Sequence, residues 1–290
     1  MSEMHSLATD VRERTLAGLP VTERRLDLAG VSTALLEGGD GPAVVLLHGP
    51  GEFATLWGRV IPDLVKTHRV LAPDLPGHGA SGMPVGRLDS DRVLAWLDAL
   101  IERECPSPPA LVGHLLGGAI AARFAVGRRD RVSRLVLVDT FGLAPNRPAL
   151  RFAMPLMAFL ARPTERTRDR FLAQCFLDFD GLREQMGGGF EPYGRYALAW
   201  ARTKTAKAAL RSLVPEFGLR AIPPDVLAQI TVPTTLIWGR HDLQTRLDVA
   251  EAAARRYGWP LHVIENARDD PCFEQPTDAL RALRAALGHV

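Results

Sequence analysis

Short apolar runs alternate with helical patterns along the first third of the chain. Residues 43–49 and 68–75 are continuous apolar runs, which is typical of strands buried on both faces of a parallel sheet. Residues 88–104 carry apolar side chains at helical spacing and predict an amphipathic helix. Gly30 separates two short alternating runs, which predicts a leading hairpin. Further strands are predicted at residues 110–114 and 132–140.

The pattern changes near residue 143. From there to residue 230 the chain is helical in character, rich in Met and Phe, and interrupted by prolines. Strand-like runs return at 231–239 and 260–266, and a terminal helix is predicted to start near Pro276. This order predicts an α/β fold with a doubly wound, mostly parallel sheet and a helical cap. We expect an N-terminal extension at residues 1–21, a core at 22–142 and 231–290, and a cap at 143–230.

Composition excludes several classes of partner. The chain has 290 residues and a formal net charge of +2, so neither a nucleic-acid nor a membrane partner is expected. Its three cysteines, Cys105, Cys175 and Cys272, are too few and too scattered for a disulfide framework or a zinc site. The N-terminus lacks the apolar region of a signal peptide and no long apolar run occurs, so we expect a cytoplasmic protein.

Five short motifs follow one another along the chain. They read LLHGPGE at 46–52, APDLPGHGAS at 72–81, GHLLGG at 113–118, LIWGRHD at 236–242 and NARDDPCFEQP at 266–276. In this order and at this spacing, the chain resembles the α/β-hydrolase fold superfamily from about residue 22 to residue 288. The resemblance implies the α/β-hydrolase fold, a mostly parallel sheet of about eight strands with a helical cap inserted after strand six.

The resemblance implies a nucleophile position that is occupied here by leucine. Family enzymes attack with the central residue of Gly-x-Ser-x-Gly, and the matching residue is Leu115, which has no lone pair to offer. The alternative is a misplaced motif with the true nucleophile elsewhere. Ser81, Ser133 and Ser212 are candidates by residue type, but none lies between a strand and a glycine-bearing helix start.

The acid of the family's Ser–acid–His relay is matched, but the histidine is not. Asp242 follows its strand at the Gly-x-x-Asp spacing of the acid. The prolines and the glutamate of the last motif fix its register and put Asp269 where the family has histidine. None of the eight histidines lies in that loop. His114, beside the turn, is expected to point away from a substrate and into the surrounding structure.

The family's oxyanion hole has one uncertain donor in this sequence. Relatives often donate the backbone N–H of the residue after His-Gly, but that residue is Pro50, which has none. Gly51 could donate if the loop is shifted by one residue. The N–H of Leu116 at the helix start persists whatever side chain precedes it.

Asp242 and Asp269 occupy positions that normally lie within hydrogen-bonding distance of each other. Two carboxylates that close cannot both ionise easily, so one is expected to hold a proton with a raised pKa, and the pair could act as acid and base. This chemistry suits a lyase, an isomerase or a cyclase, none of which needs an acyl-enzyme. In the alternative, the adjacent Arg268 neutralises Asp269 in a structural ion pair. The chain would then be a catalytically silent homologue that binds a small molecule or a partner protein. A hydrolase with an unrecognised nucleophile is the third possibility.

The cap gives the predicted pocket an apolar character. We expect a small hydrophobic ligand, no cofactor, no metal, and a monomer or homodimer. Glu52 could face the pocket or cap the following helix, and Asp242, Asp269 and His241 could alternatively form a metal site. The glycines at 187–189 suggest a mobile joint in the cap. The predicted pocket residues are Gly51, Glu52, Leu115, Leu116, Met157 and Trp200.

Overall fold

Eight strands pair into one sheet within residues 12–288, which are the residues that the computed structural model describes. The strands are β1 Thr22–Leu28, β2 Val31–Gly38, β3 Ala43–Leu47, β4 Arg69–Pro73, β5 Ala110–His114, β6 Arg134–Val138, β7 Thr234–Gly239 and β8 Leu261–Ile264. Their order across the sheet is β1-β2-β4-β3-β5-β6-β7-β8. β1 pairs antiparallel with β2, and β2 pairs antiparallel with β4, whereas the other neighbours are parallel. The predicted α/β-hydrolase fold and its leading hairpin are confirmed.

The central strands are buried on both faces, as their continuous apolar runs predict. Leu46 of β3 pairs with Val112 of β5, and Leu111 of β5 pairs with Leu135 of β6. All four side chains are fully buried. Each contributes about 1.5–3 kcal/mol relative to an exposed position. Because β3, β5, β6 and β7 run parallel, their carboxyl ends share one edge, which is where ligands bind in open α/β sheets.

Helices cover both faces of the sheet. The α-helices are α1 Ile61–Leu64, α2 Ser90–Glu104, α3 Leu116–Gly127, α4 Leu150–Ala161, α5 Glu165–Cys175, α6 Phe179–Met186, α7 Phe190–Ala201, α8 Lys204–Leu213, α9 Pro224–Leu227, α10 Leu247–Tyr257, α11 Pro271–Glu274 and α12 Pro276–Leu287. Shorter 3₁₀ turns include Ala54–Arg59 and Gly187–Gly189. Within the described part of the chain, no helix is both long enough and apolar enough to cross a membrane.

The segment between β6 and β7 is helical, as its Met- and Phe-rich composition indicated. It contains α4 to α9, and none of residues 139–233 lies in a strand. Aromatic rings join it to the core. Phe176 stacks on Phe179, and its ring centroid lies 5.7 Å from that of Phe273 in α11. We call α4–α9 the helical insertion; the exact limits of core and cap as separate domains stay predictions.

A buried ion pair ties the described part of the N-terminal extension to the core. Nη2 of Arg12 lies 2.8 Å from Oδ2 of Asp74, and both side chains are buried. Burial opposes the charge of Arg12, but Asp74 holds the pKa of the guanidinium above its ordinary value. Oδ1 of Asp74 accepts the amide N–H of Ala54 at 2.8 Å, which links the same carboxylate to the turn Ala54–Arg59. Residues 1–11 of the predicted extension lie outside the described residues.

Two glycines allow α3 to begin directly at the end of β5. A Cβ on Gly117 would lie 2.2 Å from the carbonyl oxygen of Leu47, and a Cβ on Gly113 would lie 2.5 Å from the carbonyl oxygen of Gly117. The amide of Gly117 also donates to the carbonyl oxygen of His48 at 3.1 Å. Backbone segments of β3, β5 and α3 therefore approach more closely than any side chain permits.

We expect Gly117→Ala to lower the free energy of unfolding by more than about 2 kcal/mol, because the new methyl group meets a backbone carbonyl that cannot rotate away. Gly127→Ala, at the far end of the same helix, is the matched control. It has no atom within 4 Å of the added Cβ, so it should be neutral or stabilising by up to about 1 kcal/mol. Urea unfolding of both variants measures the difference. Equal stability of Gly117→Ala and the natural chain would contradict the close approach.

Candidate functional site

Leu115 occupies a strained turn between β5 and α3. Its φ is +45° and its ψ is −107°, a backbone conformation that a leucine rarely adopts. The side chain is 3% exposed. Leu116 is the first residue of α3, so its amide N–H has no intrahelical acceptor. The predicted strand–turn–helix is confirmed, with an apolar side chain at its apex and a helix-start amide beside it.

His114, which precedes Leu115, joins two loops behind the turn. Its Nδ1 lies 3.0 Å from Oε2 of Glu52, and its Nε2 donates to the backbone carbonyl oxygen of Asp269. The Asp269 carbonyl can only accept, so Nε2 carries a proton. The lowered pKa of Glu52 and the raised pKa of His114 assign the shared proton to Nδ1, which makes the buried ring an imidazolium. Burial alone would lower the pKa of His114, but the Glu52 carboxylate, with smaller contributions from Asp270 and Asp139, raises the pKa well above its ordinary value. His114 does point into the surrounding structure, as predicted, and holds a charge there.

Glu52 forms this ion pair and does not cap the following helix, while its place at the pocket stays a prediction. Its Oε2 accepts the amide N–H of Gly49 as well as Nδ1 of His114. The turn Ala54–Arg59 has Phe53 as its N-cap residue and no side-chain capping bond, so the capping prediction is wrong. Burial would raise the pKa of Glu52, but His114 lowers it below the ordinary value. Glu52 is therefore an ionised partner of His114.

Asp242 is a buried carboxylate fixed by the loop that follows it. It is 6% exposed, and its Oδ1 accepts the amide N–H groups of Gln244 at 2.6 Å and Thr245 at 3.0 Å. The Thr245 hydroxyl donates to Oδ2. Burial raises the pKa of Asp242 to about 6, although these hydrogen bonds and one from Asp139 oppose the shift.

Asp139, at the end of β6, is a member of the site that sequence reasoning missed. Its Oδ1 accepts the amide N–H of Gly239 at 2.9 Å, while Oδ2 meets no donor within residues 12–288. Burial and the nearby Asp242 raise the pKa of Asp139 well above its ordinary value. A protonated Asp139 that donates to Asp242 fits both observations. Asp242 is therefore the carboxyl with the strongest effect on Asp139, and no hydrogen bond joins Asp242 to the expected partner Asp269 within residues 12–288.

Asp269 lies close to this pair without bonding to it. The residue is 5% exposed, and its Oδ1 is buried with no hydrogen-bond partner in the described chain. Burial raises the pKa of Asp269 well above its ordinary value, and the charge of Asp242 adds to the shift. The expectation of a carboxyl with a raised pKa is supported, whereas that of a direct proton bridge to Asp242 is not.

Arg268 does not neutralise Asp269. Its Nη1 donates to the backbone carbonyl oxygens of Ala173 at 2.7 Å and Phe176 at 2.9 Å, in the helical insertion. Among residues 12–288, Arg268 forms no ion pair. The alternative of a structural Arg268–Asp269 pair is therefore wrong, because the guanidinium is used to hold the insertion.

Two further acids in the same loop and helix also have raised pKa values. Burial raises the pKa of Asp270 to about 8, although His114 opposes the shift. Burial raises the pKa of Glu274 to about 7, opposed by hydrogen bonds from the amides of Leu177 and Arg268. The loop before α11, together with α11 itself, thus forms a buried acidic cluster, with His114 as the imidazolium beside it.

The remaining predicted pocket residues divide into two groups. Trp200 is buried and donates to the carbonyl oxygen of Gly77 at 3.1 Å, and a Cβ on Gly51 would lie 3.6 Å from its ring. Gly51, Leu115, Leu116 and Trp200 therefore belong to the closed interior near the turn. Met157 is 61% exposed on α4. It does not belong to this closed interior, because the apolar residues of α4 do not all face inward, and its place in the pocket stays a prediction.

Cys175 was missed because nothing in its sequence context marks it. This last residue of α5 is buried, and burial raises the pKa of its thiol well above the ordinary value, with Asp269 as the leading electrostatic contribution. It is therefore an uncharged thiol close to the acidic cluster. To predict its position from the sequence, one would have to know which face of α5 packs against the loop that contains Asp269.

The alternative of a metal site has no support in the geometry. His241 is exposed, whereas Asp242 and Asp269 are buried, so the three side chains do not converge. No group of three or more His, Cys, Asp or Glu side chains within residues 12–288 is arranged to hold a metal ion.

Comparison with known proteins agrees with this geometry at the level of the family. The model of the alpha/beta hydrolase family matches residues 44–283. A 2-hydroxymuconate semialdehyde hydrolase of Pseudomonas sp. (strain CF600) is 35% identical over 271 residues, which cover 84% of this chain and 86% of the relative. A pimeloyl-[acyl-carrier protein] methyl ester esterase of Nitrosomonas europaea is 31% identical over 231 residues, covering 73% of this chain and 82% of that protein.

A solved structure shows the same fold at lower sequence identity. Naproxen esterase from Bacillus subtilis superposes with a TM-score of 0.85 and 18% identity, over 99% of both chains. The chain belongs to the alpha/beta hydrolase family.

We expect the stability of the protein to fall as pH rises from about 6.5 to about 8. The folded state keeps a proton on Asp270 up to a pKa of about 8, whereas the ordinary value is 3.8. His114 also retains its proton above its ordinary value of 6.5. A folded state that binds more protons than the unfolded chain loses stability as pH rises, about tenfold in the folding constant per proton per pH unit.

Neutral buried histidines have the opposite effect, but only at lower pH. His48 has a pKa lowered to about 4 and His78 one lowered to about 3, so their contribution ends near 6.5. Thermal unfolding between pH 6.5 and 8.5 is the measurement. A melting temperature that rises through this interval would contradict the protonated cluster.

We expect Asp269→Asn to raise the melting temperature at pH 8 by roughly 3 °C, since asparagine needs no proton to stay neutral. At pH 4 the effect should largely vanish, because the unfolded aspartate is then itself close to half protonated. Asp130→Asn, at an exposed aspartate, is the control and should change neither value. A variant that is less stable than the natural chain at pH 8 would show that Asp269 is ionised in the fold.

Proposed function

We propose that this chain is a non-hydrolytic enzyme of the alpha/beta hydrolase family, a lyase, isomerase or cyclase that acts on a small hydrophobic substrate. In this proposal Asp269 is the general acid and Asp242 is its ionised partner and base. The observation that carries the proposal is the buried Oδ1 of Asp269, which has no partner within residues 12–288 and belongs to a carboxyl with a raised pKa.

The first support is the residue at the turn. Leu115 stands between β5 and α3 with the positive φ that this position requires, and we assign it to the family's nucleophile position. A hydrocarbon side chain there cannot form an acyl-enzyme. Asp269 in the loop 266–276 corresponds to the family's histidine, so no imidazole is available to activate water or serine.

The second support is the contrast between the two carboxyls. Asp242 has a pKa of about 6 and accepts three hydrogen bonds, so it is largely ionised at neutral pH. The pKa of Asp269 is raised well above its ordinary value, chiefly by burial, so its environment favours the protonated carboxyl. Two neighbouring acids whose environments separate their pKa values are suited to donate and accept protons in turn. A carbonyl or alkene bound beside Oδ1 of Asp269 would receive that proton.

Access to this centre requires the helical insertion to move. Leu115, Asp242 and Asp269 are all less than a tenth exposed. Gly187 has a φ of +51°, and a Cβ on any of the three glycines at 187–189 would meet no atom within 4 Å. This glycine turn between α6 and α7 is the place where the insertion could bend with the least steric resistance.

The closed centre also favours a second candidate, a catalytically silent homologue that binds a small molecule or a partner protein. Tight burial of Leu115 and the contact between Trp200 and Gly51 leave little room for chemistry without rearrangement. The hydrolase names of the relatives favour a hydrolase with a different nucleophile. Labelling and turnover separate these alternatives.

We expect the natural chain to resist a fluorophosphonate probe, because Leu115 cannot be phosphonylated. The double variant Leu115→Ser, Asp269→His should gain an adduct of one probe per chain and measurable hydrolysis of p-nitrophenyl acetate, since it restores the relay beside Asp242. Intact-mass spectrometry counts the adducts, and the single variant Leu115→Ser is the control. A rapid adduct on the natural chain would reveal another nucleophile and overturn the proposal.

Turnover distinguishes the enzyme from the silent homologue. Compounds that raise the melting temperature of the natural chain are incubated with it in D₂O and followed by chromatography and mass spectrometry. We expect a product or deuterium incorporation with the natural chain, and at least a hundredfold slower conversion with Asp269→Asn at similar binding. Binding without any chemical change in either protein would support the silent homologue instead.

A further inference from the structure

A cleft separate from the acidic centre opens beside the N-terminal segment. Its volume is about 260 Å³, and its walls come from residues 14–19, the turn Ala54–Arg59, the start of α7 and Phe273. The first wall is fixed in place, because Arg12 is tied to Asp74 by the buried ion pair described above. The cleft is therefore bounded by anchored elements on the side of the core.

Arg59 brings an unbalanced positive charge to this cleft. Its guanidinium is partly buried and donates to the carbonyl oxygen of Phe273 and to Oε1 of Gln185, the latter at 3.0 Å. Within residues 12–288 it forms no ion pair with a carboxylate. Burial lowers the pKa of Arg59, and the acid that opposes this shift is Asp270, which is itself mostly protonated at neutral pH with a pKa of about 8. A partly desolvated cation without a counter-ion favours an anionic ligand.

A buried hydroxyl in the same cleft has no partner. Oγ1 of Thr55 is inaccessible and makes no hydrogen bond in the described chain, although Thr55 lines the cleft. An unsatisfied buried hydroxyl is unfavourable unless a ligand completes its bonding. The hydroxyl lies on the same short turn as Arg59, and both residues line the cleft.

The other walls of the cleft are largely apolar. They include Leu19, Met186 and the ring of Phe273. Arg14 stands exposed among the lining residues and also has no ion pair within residues 12–288. A ligand that matches this surface has a hydrocarbon body and one charged end.

We propose that this cleft binds a small amphipathic carboxylate, whose charged group pairs with Arg59 and accepts the Thr55 hydroxyl while its hydrocarbon part packs on Met186 and Phe273. A planar carboxylate suits the two parallel donors of a guanidinium. The site stands independently of the reaction proposed for Asp269 and Asp242, since it uses neither residue.

Isothermal titration of the full chain with sodium octanoate tests the site. We expect octanoate to bind and octan-1-ol, which lacks the charge, to bind at least tenfold more weakly. Arg59→Gln should weaken octanoate binding at least tenfold. Arg281→Gln, at an exposed arginine on α12 that pairs with Asp278, is the control and should bind like the natural chain.

A second variant, Thr55→Val, controls for a folding defect in Arg59→Gln, because Arg59→Gln also loses a hydrogen bond to the backbone of α11. Because the Thr55 hydroxyl is unsatisfied in the fold, valine should leave the melting temperature unchanged or higher while weakening octanoate binding at least threefold. Asp269→Asn should leave octanoate binding intact. No octanoate binding, equal binding of octanol, or unchanged affinity in Thr55→Val would overturn the proposal.

Discussion

The imidazolium of His114 is the interaction on which the centre of this protein depends. It joins the carboxylate of Glu52, in the loop after β3, to the backbone carbonyl of Asp269, in the loop after β8. Three segments distant in sequence thereby meet behind the turn at Leu115. One of its two partners is a neutral carbonyl and the other is the Glu52 carboxylate. The cation therefore neutralises the charge of Glu52 and affects the other acids only because they lie close to it.

The charge balance around His114 determines the chemistry of the remaining acids. Asp139, Asp242, Asp269 and Asp270 are buried near a single imidazolium, so most of them can remain in the interior only as neutral carboxyls. Arg268 does not relieve this excess, since it holds the helical insertion through backbone carbonyls. In the proposed function, these stored protons suit the site to proton transfer rather than to acyl transfer.

Local patterns in the sequence were sufficient for the fold and for the placement of part of the site. Apolar runs located the strands of the sheet, and the glycines around Leu115 located the strand–helix turn, because both signals are confined to short segments. The pairing of Glu52 with His114 and of Asp139 with Asp242 was not predictable, since each joins loops from different strands. The exposure of Met157 was not predictable for a related reason: its apolar character does not say which face of α4 is buried.

The central claim is that Asp269 is a buried carboxylic acid with a proton to donate. Carbon-13 NMR of the full chain labelled at the aspartate carboxyl carbons, with Asp269→Asn to assign the resonance, measures its titration directly. The account predicts that this resonance keeps the chemical shift of a protonated acid through neutral pH. Titration near the ordinary value of 3.8 would show an ionised Asp269 and contradict the account.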